Sequence, residues 1–171
     1  HIQLDENGEF VRNPKEDLVK VAVVERHQGT GNVACGFLKG YGIKEGAVAL
    51  SVAHDSHNII VVGVNDEEME FAVNSLIAQE GGIVLVKEGK VIEQMPMPIA
   101  GLMSDQSGEW VDEKLTSIHE KAYTELGICG DVEPVMTLCF MSLAVIPEIK
   151  LTDMGLFDVT TFSFIPVEIS R

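Results

Sequence analysis

Long hydrophobic runs are absent from this sequence of 171 residues, which also has few aromatic side chains. Hydrophobic residues make up 46% of the chain and aromatic residues 6%, and the apolar residues are broken into short runs. None of these runs approaches the roughly 18 residues that a membrane-spanning helix needs, so we expect no membrane partner. The composition is typical of a globular protein with a packed core, and the length suits one domain rather than two.

Basic residues are also scarce. Lysine and arginine together number 12 against 27 aspartates and glutamates, which gives a formal net charge of -15. Because a chain this acidic is repelled by phosphate backbones and anionic lipid surfaces, we expect no nucleic-acid partner. A neutral or cationic small molecule and a metal ion both remain open, as does the simpler role of the charge in keeping the protein soluble.

Cysteine occurs three times, as Cys35, Cys129 and Cys139, with no paired spacing. The odd number argues against a disulfide framework and favours a reducing, cytoplasmic location, so we expect the thiols to lie in the core. The start of the chain has no initiator methionine and no basic or apolar targeting segment. We expect a fragment, with residues 1–17 as a polar lead-in and residues 18–171 as the domain.

Hydrophobic periodicity predicts strands interleaved with helices. Strands are predicted over 18–25, 47–53, 59–64 and 159–165, with a hairpin of 83–86 and 90–94 and either a strand or a short helix over 35–41. Helices are predicted over 66–79 and 109–126. Asn65 or Asp66 is the expected cap of the first, and Asp105 is expected to cap or to orient the second. Because some connections are too short for parallel crossovers, the predicted fold is an α/β arrangement of the α+β sandwich type: a mixed β-sheet with helices packed mainly on one face.

The densest polar cluster runs from Ser51 to Asn58, at the predicted end of a strand. Its candidate site residues are Ser51, His54, Asp55, Ser56, His57 and Asn58. On a tight turn the imidazoles of His54 and His57 converge and, with Asp55, form a candidate metal site. The same groups suit the ring nitrogens and amino group of a purine. The alternative is a hairpin loop of good turn formers that bond their own backbone.

A second polar turn, Glu25 to Asn32, directly follows the first predicted strand. Its candidate site residues are Glu25, Arg26, His27 and Asn32, and its Gly-Thr-Gly resembles an anion- or ligand-binding turn. The third glycine of a dinucleotide fingerprint is missing, and so is the Gly-Lys-Ser/Thr of a phosphate-binding loop. The alternative role for Glu25 or Arg26 is an ion pair at the sheet edge.

The motifs of several hydrolase classes are missing from the sequence. It has no His-x-Glu with Pro-Cys-x-x-Cys of the cytidine-type deaminases, no His-x-His, no Gly-x-Ser-x-Gly and no His-Glu-x-x-His.

The segments Pro98 to Ser104 and Leu151 to Leu156 are expected to have a structural, architectural role. His119 is expected on the exposed side of the second helix.

Taken in order, six segments resemble a single family. They are Glu25 to Asn32, Ser51 to Asn58, Pro98 to Ser104, Met136 to Leu138, Val145 to Glu148 and Leu151 to Leu156. Their order and spacing are similar to the C-terminal domain of adenine deaminases of the amidohydrolase superfamily, from about residue 18 onward.

The resemblance implies that complete family members are hydrolases of purine salvage that convert adenine to hypoxanthine and ammonia. Their (β/α)-barrel holds manganese or iron, which lowers the pKa of the attacking water. None of the barrel ligands lies in this sequence, so the resemblance transfers no catalytic residue to it. It implies a domain that packs against an N-terminal barrel, with both polar turns near the mouth of the active site.

We therefore expect the chain to be the C-terminal portion of an adenine deaminase that supports or gates the barrel, and to be inactive alone. In this role His54, Asp55 or His57 serves as an auxiliary ligand or as an outer partner of the metal site. One alternative is an autonomous module that binds a small molecule or a metal ion. Another is an oligomerisation domain that forms a homo-oligomer.

Overall fold

A six-stranded antiparallel sheet forms the centre of the fold, in a computed structural model that describes residues 2–8, 10–13 and 15–167. Its strands are β3 (Leu18–Val24), β4 (Val33–Lys39), β5 (Ala47–Leu50), β6 (Ile59–Gly63), β7 (Gly82–Lys87) and β8 (Lys90–Pro96). Across the sheet they follow the order β4-β3-β6-β5-β7-β8. The predicted α+β class is confirmed, and residues 35–41 fall mainly in a strand rather than a helix.

Every ladder in this sheet is antiparallel, where a mixed sheet was expected. The reason lies in the connections. Three pairs of consecutive strands form hairpins, namely β3 with β4, β5 with β6 and β7 with β8, and the connection from β6 to β7, which runs through a helix, leaves β5 between those two strands. The parallel strands β6 and β7 are therefore not neighbours.

Helices cover both faces of the sheet. One face carries α1 (Asp66–Ala78), and the other carries α2 (Gly108–Thr124) with the short α3 (Pro134–Cys139). Two of these helices share a face, as expected, and α1 takes the opposite one. Both faces need a cover because all residues of β5 and β6 are buried.

The face beneath α1 is built from small residues. Met69, Ala72 and Leu76 of the helix pack against a group that includes Ala22, Ala47 and Ala49. A Cβ on Gly63 would lie only 2.5 Å from Cγ of Met69, so the helix sits as close as glycine and alanine permit. The side chain of Asn65 caps α1 by accepting from the Glu68 amide at 2.8 Å, as predicted.

The opposite layer has larger side chains. Ile118, Ala122 and Leu126 from the region of α2, together with Leu138 of α3, pack against the valine face of the sheet. The predicted cap Asp105 is wrong, because Ser107 directly precedes the helix and its Oγ accepts from the Trp110 amide at 3.3 Å. The carboxylate of Asp105 instead accepts from the side chain of its neighbour Gln106 at 2.8 Å.

The first residues belong to the fold rather than preceding it. β1 (Gln3–Leu4) and β2 (Phe10–Val11) pair as an antiparallel hairpin. Arg12 then donates from Nη2 to the carbonyl of Ile43 at 2.6 Å and from Nη1 to that of Lys44 at 2.9 Å. The segment expected as a polar lead-in is therefore anchored at the end of the sheet from which β5 starts.

A second sheet follows α3 and consists of β9 (Ile149–Thr152), β10 (Gly155–Asp158) and β11 (Ser163–Ile165). The strand predicted over 159–165 is wrong in extent, because its first half is a turn. The carboxylate of Asp158 accepts from the amides of Thr160 at 2.8 Å and Thr161 at 3.3 Å, which reverses the chain before β11.

The expectation of three core cysteines is also wrong in two cases. Cys139 is buried, whereas Cys35 on the edge strand β4 and Cys129 in the loop after α2 are exposed. An edge strand and a loop leave one side of the chain open to solvent, which composition alone does not reveal. Within the residues that the structure describes, no helix has the length and apolar character to cross a membrane.

Two adjacent residues of α1 test which face of the helix packs against the sheet. Leu76 is fully buried and Ile77 is 56% exposed. We expect Leu76→Ala to lower the free energy of unfolding by about 2–5 kcal/mol, through lost burial and a cavity. The matched Ile77→Ala should change it by about 0.5 kcal/mol or less. Chemical denaturation followed by circular dichroism measures both values, and equal losses would contradict the described orientation of α1.

Candidate functional site

Three connections rich in polar groups lie at the same end of the six-stranded sheet. They are the β3–β4 turn of residues 25–32, the β5–β6 loop of residues 51–58 and the segment of residues 97–104 after β8. The antiparallel register puts them together, because β3, β5 and β8 all run toward this edge. We call these three segments the polar end of the sheet.

Arg26 joins all three segments. Its Nε donates to the carbonyl of His57 at 2.5 Å, and its Nη2 donates to the carbonyl of Ala100 at 2.9 Å. Its backbone amide donates to Oδ1 of Asn58 at 3.3 Å. A Cβ on Gly101 would lie 2.8 Å from Nη1 of Arg26, so the missing side chain there makes room for the guanidinium. The turn and the loop singled out in the sequence are therefore in direct contact.

Ser51 ties the same region to the start of β7. Its Oγ donates to the carbonyl of Gly101 at 2.5 Å and accepts from the amide of Gly82 at 2.8 Å. The residue is fully buried, and both roles of its hydroxyl are occupied. Asn58 is likewise buried and accepts from Arg26. Both side chains hold the polar end together rather than facing a ligand.

Glu25 organises the β3–β4 turn. Its carboxylate accepts from the amides of His27 at 2.5 Å, Gln28 at 2.8 Å and Thr30 at 3.0 Å, and from the Thr30 hydroxyl at 3.1 Å. These bonds, chiefly that from the Thr30 amide, lower the pKa of Glu25 to about 2. Asn32 closes the turn through its carbonyl, which accepts from the Glu25 amide at 2.9 Å. Among the described residues neither Glu25 nor Arg26 forms the ion pair that was the alternative reading.

The ring of His27 binds the turn to the loop, and the ring of His57 bonds within the loop. Nε2 of His27 donates to the carbonyl of Ser56 at 2.7 Å, which fixes the proton of a neutral ring on that nitrogen. Nδ1 of His57 accepts from the Ala53 amide at 3.2 Å, so its neutral ring carries the proton on Nε2. Burial, followed by the nearby His54 and Arg26, lowers the pKa of His57. The lowered pKa favours the neutral ring of His57, whose donor is then Nε2.

His54 links the loop of residues 51–58 to the C-terminal end of α3. Its amide donates to the carbonyl of Cys139 at 2.9 Å, and its carbonyl accepts from the Ser142 hydroxyl at 3.3 Å. Its ring centroid lies 5.0 Å from that of Phe140 and 5.4 Å from that of His57, the latter at an interplanar angle of 68°. Asp55 and Ser56, by contrast, are exposed at the tip of the loop.

The predicted metal site of His54, Asp55 and His57 is not formed by these side chains. Within the part of the chain that the structure describes, no three His, Cys, Asp or Glu side chains are grouped so as to hold an ion. Nδ1 of His57 already accepts a backbone amide, and Asp55 lies at the exposed tip. The donor set therefore does not fit manganese or iron as a site of this chain alone.

One contact that supports the position of His54, between His119 and Glu133, was not predicted from the sequence. His119 was expected on an exposed face, but it is half-buried and its Nε2 bonds to Oε1 of Glu133. The other oxygen of Glu133 accepts from the Met136 amide and caps α3. The far end of that helix carries the Cys139 carbonyl that holds His54. The sequence signal for the start of this helix is Pro134 at its first position.

The segment of residues 97–104, expected to be architectural, is also part of the polar end. Ala100 has a φ of 58° and Gly101 a φ of 73°, and this left-handed pair turns both carbonyls inward. They then accept from Arg26 and from Ser51.

Comparison with known proteins identifies the family of this chain. The family model described as "Adenine deaminase C-terminal domain" matches residues 1–163. This chain belongs to that family. The match begins at the first residue and so includes the β1–β2 hairpin, whereas the motifs in the sequence supported a resemblance only from about residue 18.

Three relatives show the extent of the similarity. The chain is 71% identical over 98% of its length to "Adenine deaminase 2" of Desulfotalea psychrophila, covering 29% of that protein. It is 51% identical over 98% of its length to "Adenine deaminase" of Ligilactobacillus salivarius, again covering 29%. For "Adenine deaminase" of Nitratidesulfovibrio vulgaris the identity is 52% over 95%, covering 28%. The chain thus spans less than a third of the relatives it matches.

The low pKa of Glu25 gives a pH test of the β3–β4 turn. A carboxyl whose pKa falls from 4.5 to about 2 on folding stabilises the turn fully above pH 4.5, and this contribution is lost as the pH falls through about 2. We expect the amide resonances of His27, Gln28 and Thr30 to shift together with a midpoint near pH 2. Glu25→Gln should remove that transition, and Glu16→Gln, on an exposed residue, should leave it unchanged. A midpoint near 4.5 would contradict the hydrogen bonds described.

Proposed function

We propose that this chain works as the C-terminal part of an adenine deaminase, in which its polar end supports or gates an active site formed by the rest of the enzyme. The proposal rests on the convergence of three polar segments on Arg26 at one end of the sheet. Family membership and the names of the relatives supply the reaction, which is the hydrolysis of adenine to hypoxanthine and ammonia.

The side chains of the polar end fall into two groups. Glu25, Arg26, Ser51 and Asn58 are engaged with backbone groups of the polar end itself. Asp55 and Ser56 are exposed at the loop tip, and the two imidazoles behind them are partly exposed. The first group makes a rigid base, and the second supplies a carboxylate acceptor and a neutral imidazole donor. An amino-bearing heterocycle such as a purine offers complementary groups.

The metal chemistry belongs, in this proposal, to the part of the enzyme outside this chain. Manganese or iron there supplies a bound water of lowered pKa. This chain's own role is to hold the loop of residues 51–58 at a fixed position, so that His54 and His57 approach that centre from one side. Such outer contacts orient ligands and substrates without joining the reaction. We also propose a cytoplasmic location, which fits three free thiols.

The autonomous module has less support from the geometry. As a metal-binding module it needs a complete ligand set, and in the described residues none is formed. As a small-molecule module it needs a site that the chain completes by itself, whereas Asp55 and Ser56 of the polar end are exposed to solvent. Self-association as a homo-oligomer remains a prediction that light scattering on the chain tests directly.

A chimeric enzyme tests the proposed function. The C-terminal segment of the Desulfotalea psychrophila relative that matches this chain is replaced by residues 1–171. At 71% identity we expect the chimera to release ammonia from adenine, and the isolated, metal-supplied chain to release none. The relative truncated before the replaced segment is the control, and should be much less active than the chimera.

Two outcomes would contradict the proposal. Turnover by the isolated chain would show that catalysis does not need the rest of the enzyme. Micromolar binding of adenine or Mn²⁺ to the isolated chain by calorimetry, abolished by His54→Ala and His57→Ala, would favour the autonomous module instead.

A further inference from the structure

The outward side of the sheet β9–β10–β11 carries aromatic residues where a solvated sheet face normally carries polar ones. Leu151 and Leu156 are a cross-strand pair on the side facing Gly36 of β4. Alternation along the strands therefore turns Phe157 and its partner Phe164 to the other side. Phe162, from the turn before β11, joins them. We call Phe157, Phe162 and Phe164 the aromatic face.

The three rings form a cluster that solvent reaches. The centroid of Phe157 lies 5.2 Å from that of Phe162 and 5.3 Å from that of Phe164, both edge to face. Phe162 is 78% exposed and Phe164 51% exposed. Met154 and Val145, at 71% and 69%, extend the apolar surface. A contiguous exposed patch of this kind marks a surface that meets a partner.

The aromatic face is continuous with the polar end. A hollow of about 370 Å³ is lined by Phe157 and Phe164 of the aromatic face, by Asp55 and Ser56 of the loop tip, and by Val145. Whatever fills this hollow contacts the tip of the loop that carries His54 and His57. The carboxylates of Asp55 and Asp153 also line it, so the occupant combines apolar groups with hydrogen-bond donors.

We propose that the aromatic face and this hollow are the docking surface for the part of the enzyme that lies outside this chain. This inference rests on the proposed function and names the surface through which it operates. The relatives argue for this occupant: the chain covers 29% of the Desulfotalea psychrophila enzyme, so more than two thirds of that protein is available to cover the patch. The docked region inserts apolar side chains beside Phe164 and presents donors to Asp55.

Docking at this surface also sets the position of the polar end. The loop tip at Asp55 and Ser56 would be held on one side by the partner, and on the other side by His27 and Arg26. Contact with the aromatic face thereby places His54 and His57 at a defined distance from the rest of the enzyme.

Association in trans tests the docking surface. The 171-residue chain is mixed with the Desulfotalea psychrophila enzyme truncated before its matching segment, and the dissociation constant is measured by calorimetry. We expect Phe162→Asp and Phe164→Asp each to weaken binding by roughly tenfold or more, as loss of a central aromatic contact does. Aspartate tolerates the φ of 52° at residue 162, so the fold should survive the change.

Ile77→Asp is the matched control. Ile77 is 56% exposed on α1, which lies on the opposite face of the large sheet, and this variant should bind as the unchanged chain does. Thermal unfolding of all three variants should match that of the unchanged chain. A Phe162→Asp chain that binds as tightly as the unchanged one overturns the inference, and so does an unchanged chain that does not bind the truncated enzyme.

Two further outcomes assign the surface to another occupant and also overturn the inference. Self-association that disappears in Phe162→Asp would identify a second copy of the chain. Adenine binding to the chain alone that disappears in Phe164→Asp would identify a small-molecule site. The proposed function fails separately, if the chimera releases no ammonia. The docking surface fails if the chimera is active and Phe162→Asp changes neither the activity of the chimera nor the association in trans.

Discussion

The guanidinium of Arg26 is the constraint on which the arrangement of the polar end depends. It binds the carbonyls of His57 and Ala100, two residues with left-handed φ values of 52° and 58°. Two unfavourable backbone conformations are thus held in place by one side chain, and the three polar segments become one unit.

Within the polar end, residues of the same chemical type differ in hydrogen bonding and exposure. Glu25 and Asp55 are both carboxylates in polar turns, yet the first accepts bonds from its own turn and the second stands at an exposed tip. Ser51 and Ser56 differ in the same way, since the hydroxyl of Ser51 is buried between Gly82 and Gly101. In the proposed function, a chemical role in the complete enzyme falls to the tip and to the imidazoles of His54 and His57. The remaining candidates support them.

Much of the fold follows from periodicity and turn chemistry. The helix α1, its cap at Asn65 and the β7–β8 hairpin all depend on neighbours a few residues apart, and each was predicted from the sequence. The polar end was predicted as two separate turns, because the bonds from Arg26 to residues 31 and 74 positions away have no local signature. The exposed Cys35, the His119–Glu133 contact and the aromatic face likewise depend on which strand is at an edge and which surface stays uncovered.

The central claim is that Arg26 and Ser51 act on the segment of residues 97–104 as one unit, and a double-mutant cycle tests it most directly. Arg26→Gln, Ser51→Ala and the double variant are compared by the free energy of unfolding in denaturant. The account predicts a coupling energy in the range of about 0.5–3 kcal/mol, because either variant alone frees the Ala100–Gly101 turn that both side chains hold. Effects that add to within about 0.3–0.5 kcal/mol would show two independent contacts and contradict the account.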